Sequence, residues 1–345
     1  MLGVKTRKMQ KKIISFERIR ILIIISLTVL MSSCNGQQNR LDSRNTELST
    51  EVLSQNSTLD NKKSKEPISE VVRMMFQDSK GSIWFGTQGG AFRYSNNILI
   101  HIDSIKSESG KRVTIKDIKE NSDGKIWIGH TDGISSIDGE KVTNYYESDG
   151  LISNDVWNIE TDAKGNVWIG TIKGVCIFDG EKFTNFELPE GKVDPTLGVS
   201  SKKIVHCIME DSNEDIWFCS NAGLFKLKDN IITNVSKRLG IQTNFVNEII
   251  EDKNGKFWIS TKEALYKMDE GRLLNITSEI PEVGKGAGCI AEDKDGNMWL
   301  SNFISKYKIS KKDSITQYEK LEGIDMSKGQ FEDRIPYFNS GLSDK

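Results

Sequence analysis

Six of the chain's seven tryptophans fall at nearly even spacing: Trp84, Trp127, Trp168, Trp217, Trp258 and Trp299. The intervals are 43, 41, 49, 41 and 41 residues. A period near 40 is the mark of a stacked or radial repeat, because one such unit cannot bury its own apolar faces and needs neighbours to do so. Each Trp sits in the same short text. Asp162-Ala-Lys-Gly-Asn-Val-Trp168-Ile-Gly-Thr171 is one copy, and Asp78-Ser-Lys-Gly-Ser-Ile-Trp84-Phe-Gly-Thr87 repeats it.

Counted from its Trp, the repeat has a fixed grammar. Apolar residues stand twelve before (Val72, Ile115, Val156, Val205, Val246, Ala287) and nine before (Met75, Ile118, Ile159, Ile208, Ile249, Ile290). Six before comes Asp, or Asn121 in the second copy, and three before comes Gly, or Glu214 in the fourth. Asp-x-x-Gly between two apolar runs is hairpin chemistry: the Asp oxygen accepts from the backbone two residues on, and Gly takes the left-handed conformation that closes the turn. Alternating residues at eight and ten past the Trp, such as Phe92/Tyr94 and Cys176/Phe178, give a third strand. Stretches such as Lys182–Phe186 give a fourth. Four short strands per unit, six times over, predict an all-β chain folded as a β-propeller of four-stranded antiparallel blades. Six blades are expected, with seven as the alternative, since Gly341-Leu342 near the C-terminus echoes text that precedes a first strand.

This text resembles the two-component regulator propeller repeat, including a Gly150-Leu151-Ile-Ser-Asn154 segment ahead of a first strand. The resemblance spans about residues 68–320. It implies the sensor propeller found in hybrid histidine kinases of gut and marine bacteria, many of which respond to oligosaccharides. More distantly the chain is similar to streptogramin lyases, propellers whose site is a histidine with a metal. Nothing after the sixth repeat reads as a kinase or DNA-binding domain, so a signalling role does not travel with the fold.

The first twenty residues carry seven basic side chains and one acid, followed by an apolar run over Ile21–Leu30 and then Met31-Ser-Ser-Cys34. A basic start, a short apolar stretch and small residues before the cut make residues 1–33 a secretory signal. The small residues before Cys34 resemble a lipoprotein box, which implies a lipidated Cys34 as the mature first residue and the bilayer as a partner. Met9 is an alternative start. Residues 34–67 are polar and read as a flexible tether, 68–320 as the propeller, and 321–345 as a C-terminal segment that could help close the ring. No acidic cluster follows Cys34, which favours the periplasmic face of an outer membrane. Loss of seven positive and one negative charge takes the net charge from −2 to −8. An acidic chain with no basic stripe is a poor partner for nucleic acid.

Catalytic chemistry is not evident. No Cys-x-x-Cys pair, phosphate-binding Gly loop or Ser-His-Asp order emerges, and no cofactor is expected. Asp293-Lys-Asp295-Gly296-Asn297 looks like the front of a calcium loop, but the same positions make the hairpin in every repeat. His101 and His130 read as plain surface residues, and Cys176 as a core thiol. Cys207 and Cys219 are placed symmetrically about a turn. An in-register hairpin would set them opposite each other as a candidate disulfide, and a bulged turn would not.

The most informative position is one that varies. Eleven before each Trp stand Arg73, Lys116, Trp157, His206, Asn247 and Gly288. On six innermost strands these would ring a central channel, and an aromatic with basic and amide groups suits a sugar or a small anion. A long connection around Leu188–Thr196 is a second pointer. The reading is a tethered envelope module that binds a ligand such as an oligosaccharide, with a scaffold for an envelope protein partner and a lyase-like enzyme as alternatives.

Overall fold

The protein's structure, a computed structural model, describes residues 55–59, 67–69, 71–193, 199–278, 287–302, 305–310 and 312–320. Residues 1–33, read above as a secretory signal, Cys34 and the segment 321–345 lie outside these residues. Among the described residues six antiparallel sheets, five of four strands and one of five, form the six blades of a β-propeller. The third blade is typical: Val156–Thr161, Val167–Thr171, Gly174–Phe178 and Phe183–Phe186, running outward from the axis. No helix among the described residues is long and apolar enough to cross a membrane.

The turn residues do more than turn. In five blades the Asp Oδ1 accepts from the backbone of the turn while Oδ2 accepts the indole N–H of its own Trp. These bonds run from Trp84 to Asp78 at 2.8 Å, Trp168 to Asp162 at 2.9 Å, Trp217 to Asp211 at 2.8 Å, and Trp258 and Trp299 to Asp252 and Asp293 at 3.0 Å. The ring system is thereby fixed against the next blade. Trp84 packs with Ile115, Ile118 and Ile128, Trp168 with Val205, Ile208 and Phe218, and Trp217 with Val246 and Ile249. The core is thus a set of seams between blades rather than one central mass. Glu214 takes the Gly position of blade four and adopts its left-handed backbone, at φ 61°, a conformation that costs a non-glycine residue free energy.

Two expectations are corrected. Polar Gln55–Thr58, inside the stretch read as a tether without strand pattern, is a strand that pairs with Lys141–Tyr145 and adds a fifth strand to blade two. An outer blade edge offers unpaired backbone groups, and any nearby chain can satisfy them whatever its side chains. Leu59, which follows, is buried. The histidines are not surface residues either. His130 is fully buried, its Nδ1 accepting from the Asp132 amide at 3.3 Å and its Nε2 paired with the Ser135 hydroxyl at 3.1 Å. It takes the place of the Thr or Ser whose hydroxyl closes the same turn in other blades, as Thr171 does on the Gly174 carbonyl at 2.9 Å. His101 stacks on Phe92 at 4.4 Å between ring centroids.

Candidate functional site: the axial channel

The innermost strands are Val72–Gln77, Ile115–Glu120, Val156–Thr161, Val205–Glu210, Val246–Glu251 and Ala287–Glu292. In each of the first five the ladder to the second strand skips one residue, between Val72 and Met74, Ile115 and Asp117, Val156 and Asn158, Val205 and Cys207, and Val246 and Glu248. The skipped residues are Arg73, Lys116, Trp157, His206 and Asn247. A bulge leaves its extra residue unpaired and re-aims the side chain. All five line one axial cavity of about 620 Å³.

Their surroundings decide what each can do. The Lys116 ammonium sits 3.9 Å from the centroid of the Trp157 ring and is ion-paired to Asp155. The other Asp155 oxygen accepts the Trp157 indole N–H at 3.3 Å. Burial lowers the Lys116 pKa; Asp155 opposes that shift, and nearby Arg73 adds to it. One face of the Trp157 indole therefore already carries a cation. His206 packs on Phe245, with ring centroids 4.5 Å apart, and burial lowers its pKa to about 4, so its imidazole is neutral at pH 7. No hydrogen-bond partner reaches His206 Nε2. Asn247 differs from the expectation of a free ligand donor: its amide donates to the Gly288 carbonyl of the next blade at 3.1 Å.

Deeper layers of the channel were not singled out from the sequence. Ten before the Trp stand Asp117, Asn158, Cys207 and Glu248, and each reaches across to the next blade. Asp117 accepts from the Ile159 amide at 2.7 Å, Asn158 from Ile208 at 2.6 Å, and Glu248 from Ile290 at 2.6 Å. The Cys207 thiol donates to the Ile249 carbonyl at 3.8 Å. An innermost strand is a sheet edge, and this belt of unlike side chains satisfies its open backbone groups. Burial raises the Asp117 pKa to about 6 and that of Glu248 to about 8. Eight before the Trp, Lys119 and Glu160 form an ion pair at 3.0 Å, while Phe76, Met209, Ile250 and Ala291 line the rest of that layer. That layer is polar on blades two and three and apolar on the other four.

At the far mouth, glutamates seven before the Trp cap the preceding blade's turn. Glu120 accepts the Ser79 amide at 2.6 Å, and Glu251 the Ser212 amide at 2.7 Å. The described part of the long connection, residues 188–193, folds down against blade four. The Gly191 amide donates to the Lys202 carbonyl at 2.7 Å, Asn221 donates to Lys192 at 2.6 Å, and the space beneath is about 10 Å³, roughly one water. Cys207 and Cys219 are direct partners in the ladder, and both are free thiols. Among the described residues no cluster of His, Cys, Asp and Glu is placed to hold a metal ion.

Three stretches, residues 66–89, 150–173 and 240–263, match the two component regulator propeller model. No curated protein sequence matches the chain. Among solved structures, the extracellular domain of a protein assigned as a one component system in B. thetaiotaomicron aligns at TM-score 0.57 and 18% identity, over 72% of this chain and 36% of that one. Virginiamycin B lyase from Staphylococcus aureus aligns at 0.57 and 13%, over 79% and 89%. PorZ, a surface component of the type-IX secretion system of Porphyromonas gingivalis, aligns at 0.50 and 17%, over 73% and 39%. This chain thus spans well under half of that extracellular domain and of PorZ. At these identities the likeness is one of fold.

Proposed function

We propose that this ring of two component regulator propeller repeats is a non-catalytic, ligand-binding sensor-accessory module, and that its ligand enters the axial channel at the Arg73, Lys116, Trp157, His206 mouth. The observation that carries the reading is the bulge: the repeat re-aims one variable residue in each of five blades into a single cavity. The side chains at this converging position differ from blade to blade, as a site that contacts an asymmetric ligand requires. A half-buried indole, two cations and a neutral imidazole suit a sugar or a small oligosaccharide, whose flat faces stack on aromatic rings and whose hydroxyls pair with charged donors. The extracellular domain of like fold and the basic, then apolar, N-terminal sequence support the reading of a module held in the envelope. Lipidation of Cys34 would anchor it to the outer membrane, on the periplasmic face.

A panel of glycans and small metabolites, screened by thermal shift and followed by calorimetry, tests this reading. A hit whose affinity falls on Trp157→Ala supports it. A second reading, a scaffold in an envelope complex, draws on the PorZ likeness; co-purification of an envelope protein that survives Trp157→Ala, with no small-molecule hit, would favour it. The lyase likeness would gain force only from metal-dependent turnover lost in His206→Ala. Anchoring is tested separately by labelling with a radioactive fatty acid: native chain is labelled and sediments with membranes, and Cys34→Ala does neither.

A further inference from the structure

Blade four departs from its neighbours at one ladder pair. In the first five blades the residue ten before the Trp faces the residue two after it: Met74 opposite Gly86, Asp117 opposite Gly129, Asn158 opposite Gly170, Glu248 opposite Ser260. In blade four that pair is Cys207 opposite Cys219. The partner is glycine in blades one to three, where the next blade crowds the position. A Cβ on Gly129 would lie 2.6 Å from Val156, and one on Gly86 2.8 Å from Ile115. In blade four that space holds the Cys219 thiol, wholly buried beside Val246 and hydrogen-bonded to Cys207. Cys207 is only part-buried and lines the axial channel.

We propose that Cys207 and Cys219 are a redox pair, closed to an intrablade disulfide by a small disulfide that reaches Cys207 through the channel. Directly opposed residues of an antiparallel pair have Cα separations within the range a disulfide spans, and the bulge at His206 adds local freedom to adjust. The chemistry balances as two exchanges. The Cys207 thiolate attacks one sulfur of the oxidant, whose S–S bond breaks and releases a thiolate that takes up a proton. Cys219 then loses its proton and attacks the Cys207 sulfur, expelling the second thiol. Two protein thiols are oxidised and one external disulfide is reduced to two thiols. Burial and the neighbouring Cys207 hold the Cys219 thiol protonated, so the second exchange is the slower. Closure also removes the hydrogen that Cys207 donates to the Ile249 carbonyl, which loosens the belt between blades four and five. This inference stands apart from the ligand reading.

The test uses the purified full chain incubated with oxidised glutathione, then unfolded, alkylated and cut after lysine and glutamate. Cuts after Lys203, Glu210, Glu214 and Lys226 place the two cysteines on separate peptides. The expected result is Ile204–Glu210 joined to Asp215–Lys226 by a bond that dithiothreitol splits. In Cys219→Ser the reaction should stop with glutathione on Cys207. Two alkylated thiols in the native chain would overturn the proposal, as would a native chain that stops at the mixed disulfide.

Discussion

The Trp168 indole N–H donates to Asp162 Oδ2 at 2.9 Å, across the hairpin that the same carboxylate closes with its other oxygen. One side chain therefore sets both the turn and the orientation of the largest residue in the seam between blades. Blade two is the exception. Asn121 Oδ1 accepts from the Lys125 amide at 2.9 Å, as the Asp does elsewhere. Its other atom is an amide donor, and the buried Trp127 Nε1 has no partner.

Asn121→Asp should therefore stabilise the protein, by about 1–2 kcal/mol, the net worth of satisfying a buried donor. Chemical denaturation of native and variant chains measures it, and a stability equal to or below native would contradict the assignment.

Close contact at the blade seams gives a second expectation. The Gly129 position faces Val156 and Ile159 of blade three with no space for a methyl group. Gly129→Ala should cost about 1–3 kcal/mol through overpacking, read as a lowered denaturation midpoint with an unchanged slope. An unchanged midpoint would show that the seam yields freely.

Buried carboxyls give the third. Glu248 has its pKa raised by burial from 4.5 to about 8, while the unfolded chain ionises near the ordinary value. Because the folded state holds this proton more tightly, the associated stability is full below the unfolded pKa and is lost as pH rises through about 8. Asp117, raised to about 6, acts in the same sense at lower pH. Glu248→Gln keeps an oxygen for the Ile290 amide and removes the titration. Its melting temperature should fall less than the native one between about pH 5 and pH 9. Parallel curves would sink this account of the belt.

The blade plan was legible in the sequence because the Trp, Asp and Gly positions recur with fixed offsets. The ring of variable residues was legible too, as a column that changed directly after one that stayed apolar. What escaped notice acts between repeats through unlike residues. The belt of Asp117, Asn158, Cys207 and Glu248 shares no residue type, since a carboxylate, an amide and a thiol can each reach an open backbone group. Asp155 and Phe245 also escaped, although each stands 39 residues after the channel residue it covers, Lys116 and His206. That constant offset is the signal that could have found them. The strand at Gln55–Thr58 left no trace, because its partner at Lys141–Tyr145 lies far along the chain and needs only its backbone.

The central claim is that Trp157 belongs to a site and the repeat tryptophans to the core. Calorimetry with the tightest ligand from the panel, together with denaturation of Trp157→Ala and Trp168→Ala, tests it most directly. Trp157→Ala should lose on the order of 1–3 kcal/mol of binding, by analogy with aromatic stacking on flat ligands, while keeping native stability. Trp168→Ala should lose about 3–5 kcal/mol of stability through the cavity it leaves. If Trp157→Ala binds the ligand as tightly as native, or unfolds as readily as Trp168→Ala, the channel mouth is not the binding site.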